Sequence, residues 1–515
     1  MPDLLELAGR HRRLALIVFG LAVVLYVALL CGSAATRKPW NDEAESADAG
    51  YNLGFKGYDG VPFFDERTYG LIGVSRHSYY IFPMQLCVLA LWYHIFPFTL
   101  FSTRMLAMLW GIAMLVGVYH VLRKLLADPA IAFLGVVITA FNYQIMAASS
   151  FGRYDTMVAA LGFGGYAVYL LMRERNLRWA ILLANILVAA SGMTHPNGIF
   201  YFTGLWFLIV YYDRKRIGWR DVAVAALPYL IGGAVWAMYI AQDYASFHAQ
   251  ITKNSAGRIG LLHPWHALVL EYQLRIIPVF GLGAHSAGHN SPIVRLKVLS
   301  LIALVSGFLI CGLTPSIRRN PQFRPFFYLT GIHWFLLTFS ENFKFAYYLI
   351  HALPLFCGVL AIAVAHLWTK QKAPRWAIAG AVAALLLVET GGILAKIRLD
   401  DYHNVYLPAA EFVKAHANPN DEIFSSCSFG FAYGFDRKII DDFTLGYFSG
   451  KRPPYIVMEE IFDYQHSVLK PADRGTDADQ YHHVREMLDS YKLVYHNSEY
   501  RVLERPDLAG TAASR

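Results

Sequence analysis

Long apolar runs alternate with short polar segments through the first three quarters of the chain. A run of about 20 apolar residues is typical of a transmembrane helix, because a helix of that length crosses the roughly 30 Å hydrocarbon core of a bilayer. Runs long enough to span lie at 14–33, 103–122, 130–149, 156–172, 179–194, 198–212, 221–241, 294–313, 323–340, 345–368 and 375–395. The pattern predicts a polytopic α-helical membrane protein with about 11 transmembrane helices.

A further apolar segment, Tyr79 to Pro97, decides on which side of the membrane the later loops lie. If it does not span, six short segments carrying eighteen Lys and Arg residues all fall on one side, and the short loops opposite carry only Arg153 and Lys344. The positive-inside rule favours this arrangement. We therefore predict a surface or re-entrant helix here, a cytoplasmic N-terminus and an uncleaved first helix.

After about residue 396 the pattern changes to shorter mixed segments. Helices are predicted at 407–417 and 482–491, strands near 422–428 and 455–459, and a hairpin ending at 500–503. These elements indicate a small C-terminal α/β domain at 396–515, outside the cytoplasm. The preceding membrane domain, 1–395, contains two long outer loops at 34–102 and 242–293.

Composition narrows the class of protein. The chain has 515 residues, of which 56% are hydrophobic, and this excludes an ordinary soluble enzyme. Its net charge of +8 comes from clusters between apolar runs, where they orient a membrane protein, so we expect no nucleic-acid partner. Four of the five cysteines lie in apolar runs, and no zinc-type spacing is present, so we predict neither a disulfide framework nor a metal site.

The adjacent carboxylates Asp42 and Glu43 follow the first apolar run. Two carboxylates side by side at a membrane surface repel each other, which suggests a general base, although a solvated loop or a helix N-terminal charge would also place acids here. Asp155 lies at the start of a later apolar run. It is either a second active-site acid or a helix cap.

Cations lie on the same predicted side as these acids. Arg76, His77, Arg153 and Lys344 are suited to binding phosphate, and they could equally contact lipid headgroups. His195, in the turn His195-Pro196-Asn197, is either a phosphate or sugar ligand or a structural turn residue.

Five short motifs occur in order: Asp42-Glu43, Arg76-His77-Ser78-Tyr79-Tyr80, Arg104, Arg153-Tyr154-Asp155, and Lys344 with Tyr347-Tyr348. In these the first 370 or so residues resemble the GT-C superfamily of membrane glycosyltransferases. The similar branch includes protein O-mannosyltransferases and lipid A aminoarabinose transferases, glycosyltransferase families 39 and 83.

The resemblance implies a GT-C fold and an inverting glycosyltransferase at the outer face of the inner (plasma) membrane. It implies that a hexosyl or pentosyl group passes from a polyprenyl-phosphate donor to a hydroxyl of a protein, lipid A or another glycan or lipid. No cofactor beyond this donor is expected. The implied catalytic residues are Asp42, Glu43 and Asp155, and the implied substrate-binding residues are Arg76, His77, Arg153, His195, Lys344 and Tyr347.

The main alternative is a transporter or flippase for lipid-linked or polar solutes. Such proteins place paired charges and broken helices near the bilayer midplane, often in two related halves. The sequence shows neither feature.

Overall fold

The computed structural model describes residues 12–258, 263–282, 295–371, 373–435, 438–459, 461–463 and 478–506. The chain forms two compact units. One comprises 1–34, 104–239 and 255–395 and is called the helical unit; the other comprises 35–103, 240–254 and 396–515 and is called the mixed unit.

The described α-helices are α1 Arg12–Thr36, α2 Asn41–Lys56, α3 Glu66–Tyr69, α4 Pro83–Tyr93, α5 Leu100–Leu126, α6 Pro129–Ala140, α7 Tyr143–Ser149, α8 Asp155–Met172, α9 Leu177–Thr194, α10 Gly198–Asp213, α11 Trp219–Ile240, α12 Tyr244–Ser255, α13 Pro264–Leu270, α14 Ile277–Phe280, α15 Val298–Leu313, α16 Pro315–Arg318, α17 Arg324–Phe339, α18 Leu353–Lys370, α19 Arg375–Leu399, α20 Leu407–His416, α21 Gly430–Tyr433 and α22 Ala478–Ser490. Turns of π-helix occur at Glu271–Ile276 and Tyr402–Tyr406, and 3₁₀ turns at Ala346–His351 and Cys427–Phe429.

In the described part of the chain, seven helices are long and apolar enough to cross a membrane, or eight if the bent pair α6 and α7 forms one span. Each of the eleven predicted runs contains helix, but α10, α15 and α17 have 16 residues each. A helix of that length rises about 24 Å, less than a typical hydrocarbon core. The chain is therefore a polytopic helical protein, and the count of eleven stays a prediction.

The run at 130–149 is not the single helix that was predicted, because α6 and α7 meet at an angle of 66°. The Asn142 side chain caps α7 by accepting from the amides of Gln144 and Ile145. Glu389 of α19 accepts from the Tyr143 amide at 2.7 Å and from Asn142 Nδ2 at 3.0 Å. Glu389 thus stabilises a helix break through a tertiary contact that no local sequence pattern encodes.

Helices α8 and α10 approach closely in the helical unit because Gly162 has no side chain. A Cβ at Gly162 would lie 2.0 Å from the ring of Tyr201, which packs over it. The hydroxyl of Tyr201 lies 3.0 Å from Nδ1 of His351, in the turn before α18. This contact connects α10 to the 3₁₀ turn that precedes α18.

The predicted surface segment forms α4 within the mixed unit. Its 11 residues rise only about 16 Å, so α4 is too short to span a bilayer alone. It packs on α2, where a Cβ at Gly50 would lie 2.5 Å from Leu89 Cβ. Close helix packing therefore fixes the helix that carries Asp42.

The C-terminal segment contains a five-stranded sheet with the order β2-β1-β3-β5-β4. Its strands are β1 Ile423–Phe424, β2 Ile439–Ile440, β3 Tyr455–Met458, β4 Lys492–His496 and β5 Arg501–Glu504. The central β1 is parallel to β2 and β3, and β5 is antiparallel to β3 and β4.

Most of the predicted C-terminal elements are present, with two corrections. The strand predicted at 422–428 ends at Phe424, because the chain turns where the Cys427 amide donates to Asp441. The two-residue β2 was not predicted, since so short a strand has no periodicity to detect.

Residues of the first outer loop pack with this sheet inside the mixed unit. Phe64 pairs with Asp441 in a parallel bridge, and the Asp441 amide donates to Phe63 O at 2.7 Å. The loop thereby extends the sheet beyond β2. The division into domains at 1–395 and 396–515 stays a prediction.

The predicted orientation can be tested with single cysteines at exposed positions. In a background with Cys31→Ser and Cys87→Ser, we expect a membrane-impermeant maleimide to label Pro196→Cys and Glu486→Cys in intact spheroplasts. Lys215→Cys and Arg375→Cys should react only after permeabilisation, because basic loops stay inside. Labelling of position 215 but not 196 in intact cells would reverse the orientation.

Candidate active site

The acidic pair lies in the first turn of α2, and its two members differ in exposure. Glu43 is fully buried, and its Oε2 accepts the Trp40 amide at 3.0 Å, which satisfies an otherwise unpaired donor at the helix start. Asp42 is partly exposed. Glu43 therefore has a structural capping contact, and Asp42 is the member that solvent or substrate can reach.

Two further groups surround this turn in the mixed unit. The hydroxyl of Tyr80 donates to Glu45 Oε2 at 2.9 Å. Burial and the Glu45 carboxylate raise the pKa of Tyr80 well above its ordinary value, so this phenol stays a neutral donor. The Cys427 thiol lies 3.7 Å from the Asn41 carbonyl, so the 3₁₀ turn after β1 contacts the residue before Asp42.

Below this contact, Asp441 is a buried carboxyl group at the end of β2. It accepts from the Tyr69 hydroxyl at 2.5 Å and from the Cys427 amide at 2.7 Å. Burial raises the pKa of Asp441 to about 7, against the effect of these hydrogen bonds. The group that supports the Asp42 turn thus changes charge near neutral pH.

The segment containing Arg76 and His77 is held by one buried amide. Gln250 of α12 accepts from the Tyr79 amide at 2.8 Å and donates to the carbonyls of Ile72 and His77. Arg76 is exposed, and His77 Nδ1 lies 3.5 Å from Asp59 Oδ1. These two candidates therefore lie on a rigidly held loop.

Arg153, Asp155 and Tyr347 form one cluster in the helical unit. Arg153 Nε donates to Asp155 Oδ2 at 2.8 Å, and both side chains are almost fully buried. The Arg153 guanidinium lies 5.0 Å from the centre of the Tyr347 ring. Asp155 also begins α8, so it both pairs with Arg153 and complements the helix N-terminus.

His195 stacks on Tyr154 at 4.5 Å, and the Tyr348 ring lies 5.6 Å away. Burial, with smaller effects of Arg153 and Arg258, lowers the pKa of His195 to about 3. The imidazole is therefore neutral at physiological pH. A neutral imidazole donates one hydrogen bond and accepts another, and Nδ1 of His195 already accepts from the Asn197 amide at 3.2 Å.

Lys344 lies in a buried network of four charges. Its Nζ is 3.6 Å from Glu271 Oε2 and donates to the Thr338 carbonyl. Arg275 binds both oxygens of Glu271 at 2.6 Å and Glu341 Oε2 at 2.8 Å. Two cations and two carboxylates compensate one another, and burial lowers the pKa of Lys344 while Glu271 opposes this shift.

Arg275 and Glu271 are functional candidates that the sequence reasoning missed. They lie on the π-helical turn Glu271–Ile276, and Arg275 is fully buried. Their spacing of four residues is that of a helical ion pair, a signal that could have indicated them. The backbone of Lys344 has a positive φ of 56°, a conformation that costs energy for a residue with a side chain.

The structure thus places Arg153, Asp155, His195, Tyr347 and Lys344 in the helical unit and Asp42, Glu43, Arg76 and His77 in the mixed unit. Among the residues described, no three His, Cys, Asp or Glu side chains are grouped so that they could hold a metal ion.

Comparison of this architecture with solved structures finds a match over nearly the whole chain. ArnT from Cupriavidus metallidurans bound to undecaprenyl phosphate has a TM-score of 0.59 at 13% identity, covering 94% of this chain and 97% of ArnT. The chain has the GT-C fold. ArnT in the apo state has a TM-score of 0.54 at 12% identity, covering 95% and 98%.

A more distant structural match to this chain is the oligosaccharyltransferase AglB from Archaeoglobus fulgidus, in complex with an inhibitory peptide and a dolichol-phosphate. Its TM-score is 0.48 at 12% identity, covering 96% of this chain and 81% of AglB. No family model matches the sequence, and no curated protein is significantly similar to it.

Titration of Asp441 should make stability depend on pH. An unfolded Asp has a pKa of about 4, whereas folded Asp441 has a pKa of about 7. Between these two pH values the folded state keeps a proton that the unfolded state has already lost. This contribution to the free energy of unfolding therefore falls as pH rises through that window. Asp441→Asn lacks the titration, and its melting temperature should rise relative to wild type across the window.

The measurement is thermal unfolding of the purified protein in detergent from pH 4.5 to 8. The exposed variant Glu486→Gln is the matched control and should follow wild type. A constant difference in melting temperature between Asp441→Asn and wild type would contradict a raised pKa.

Proposed function

We propose that this protein is an integral-membrane glycosyltransferase that moves a sugar from a polyprenyl phosphate to an acceptor hydroxyl. The observation that carries the proposal is the likeness, over 94% of the chain, to a GT-C structure bound to undecaprenyl phosphate. The side chains agree with it, because the acid Asp42 and the buried cations are the groups that such a transfer needs.

In this reaction Asp42 takes the proton of the acceptor hydroxyl as its oxygen attacks the anomeric carbon of the sugar. The bond from that carbon to the phosphate oxygen breaks, and polyprenyl phosphate leaves with the electron pair. Attack from the side opposite the leaving group inverts the anomeric centre. A partly exposed carboxylate is suited to this step, whereas the capping contact makes Glu43 a group that fixes the turn.

The leaving phosphate requires positive charge that strengthens as the bond breaks. Arg153 presents a planar guanidinium beside Tyr347, and it is the stronger candidate of the two cations in the helical unit. Both cations already pair with a carboxylate, Arg153 with Asp155 and Lys344 with Glu271. We assign to Lys344, which is a point charge, a contact that depends on Arg275 and Glu341. Arg76 and His77 are proposed to bind substrate from the outer loop.

The proposal specifies the type of reaction but not the identity of the sugar or of the acceptor. A hexose or pentose, and a hydroxyl on a protein or a glycolipid, all satisfy the same chemistry. We place the reaction on the outer face of the inner membrane, with the C-terminal domain on that side, since the basic loops predict this orientation.

A transporter is less well supported. The sequence shows neither the paired midplane charges nor the related halves expected of a transporter, and the acid within the last apolar run, Glu389, has a structural contact. In the structure that carboxylate accepts from the Tyr143 amide and from Asn142 at the bend between α6 and α7. The contact accounts for the charge without a transported solute.

Asp42→Asn keeps the shape of the side chain but removes its basicity, so transfer should fall about 100-fold or more. The assay is release of polyprenyl phosphate by the purified protein from a panel of polyprenyl-phosphate sugars, with and without acceptor extracts. Glu486→Gln, which removes an exposed carboxylate elsewhere in the mixed unit, should keep wild-type turnover. Near-normal transfer by Asp42→Asn would place the base elsewhere, with Asp155 next.

Neutralising a cation that holds the leaving phosphate should cost about 2 to 4 kcal/mol in the transition state, or about 30-fold to 1,000-fold in donor turnover. We expect this loss in Arg153→Met and Lys344→Met, measured at matched protein levels in one detergent. Lys215→Met removes an exposed cation from a loop on the predicted cytoplasmic side and should change turnover less than twofold. A loss below about fivefold in both test variants would contradict the assignment.

A further inference from the structure

Two short loops of the helical unit form a strongly basic surface. They join α8 to α9 and α10 to α11, and three of these four helices are candidate membrane spans. The segments 173–178 and 213–221 together contain seven Lys and Arg residues but only three acids, so this surface has a net positive charge. No step of the proposed glycosyl transfer uses it.

The buried carboxylate of Asp213 holds the two loops together. It accepts from Arg173 Nε at 2.7 Å and from Arg216 Nη1 at 2.8 Å. The Arg173 carbonyl in turn accepts from Arg216 Nη2 at 3.4 Å. Arg178 and Asp221 form a further link between the loops, at 3.2 Å. These contacts form a frame that keeps cations of different loops close to one another.

Three further arginines, Arg175, Arg214 and Arg220, are exposed and lie within two residues of members of this frame. We call them the arginine surface. In the part of the chain that the structure describes, none of the three forms an ion pair, because the acids of both loops bind Arg173, Arg178 and Arg216. Uncompensated like charges repel one another, and a bound anion relieves that repulsion. Guanidinium groups bind phosphate through paired hydrogen bonds, so the arginine surface is suited to a phosphate-bearing ligand.

Two exposed tryptophans beside these loops indicate where the arginine surface lies in the membrane. Trp179, in the first turn of α9, is 54% exposed, and Trp219, the first residue of α11, is 76% exposed. The Arg220 guanidinium lies 5.5 Å from the centre of the Trp219 ring. Exposed tryptophans at the ends of membrane spans are typical of the membrane–water interface. The arginine surface is therefore at the level of the lipid phosphates.

We propose that the arginine surface binds the headgroup of an anionic phospholipid. A zwitterionic headgroup carries an ammonium group that offsets its phosphate, whereas an anionic headgroup keeps a net negative charge that matches the arginines. The positive-inside rule explains why basic loops share one side of the membrane, but it requires no fixed arrangement of their charges. The frame around Asp213 provides that arrangement. The proposal is independent of the proposed glycosyl transfer.

The test is native mass spectrometry of the purified full-length protein, titrated with cardiolipin, which has two phosphates, and with phosphatidylcholine. We expect saturable binding of cardiolipin and weaker binding of phosphatidylcholine. Each cation near the membrane surface contributes about fivefold to the affinity for anionic lipid, so Arg175→Gln/Arg220→Gln should weaken cardiolipin binding about 30-fold. Arg318→Gln/Arg319→Gln removes the same charge from another exposed segment of the helical unit and should stay within about twofold of wild type.

An equal loss in both double variants would show attraction to the general surface charge and would overturn the proposal. Equal affinity for cardiolipin and phosphatidylcholine would also overturn it. Binding of glycerophosphoglycerol, a headgroup without acyl chains, as tightly as cardiolipin would identify a soluble phosphate ligand and contradict a lipid site. If the first double variant does not fold, Arg214→Gln alone decides the matter, with an expected loss of about fivefold.

Discussion

The helical unit depends on several ion pairs that compensate charges buried in its apolar interior. A bare ion is costly away from water, and removing one member of a buried pair typically costs about 3 to 5 kcal/mol. In the helical unit Arg275 and Lys344 are compensated by Glu271 and Glu341, and Arg153 by Asp155. These ion pairs fix the polar ends of helices that hydrophobic packing alone would leave free to shift.

The same requirement links stability to chemistry. Lys344 has a left-handed backbone conformation that is unfavourable for its residue type, and its contacts with Glu271 and Thr338 oppose that cost. A site arranged in this way is preorganised, because its charges do not need to move before they act on a substrate. Arg275 and Lys344 share the carboxylate of Glu271, so the position of each side chain depends on the other.

Hydrophobic periodicity predicted the class of fold, since each apolar run contains helix and the mixed C-terminal segment contains the expected hairpin. It could not predict the bend at Asn142, where the Tyr143 amide donates a hydrogen bond to Glu389, 246 positions further along the chain. The position of the motif favoured Asp42 over Glu43 as the base, but the contact of Glu43 with the Trp40 amide could not be predicted, because it requires the helix start to be known. Arg275 was missed because the segment from 242 to 293 was predicted to be an outer loop, whereas Arg275 lies in a π-helical turn there.

Two carboxylates of helix α2, Asp42 and Asp48, lie in different surroundings. Its first turn presents Asp42, and a face further along presents Asp48 to aromatic rings. Close packing at Gly50 against Leu89 leaves the helix little freedom to rotate, so the two carboxylates keep a fixed relation. The segment from Cys427 to Phe435 adds a second support, because Cys427 contacts Asn41 in the first turn of α2 and Phe435 lies beside Asp48 and Tyr51 further along.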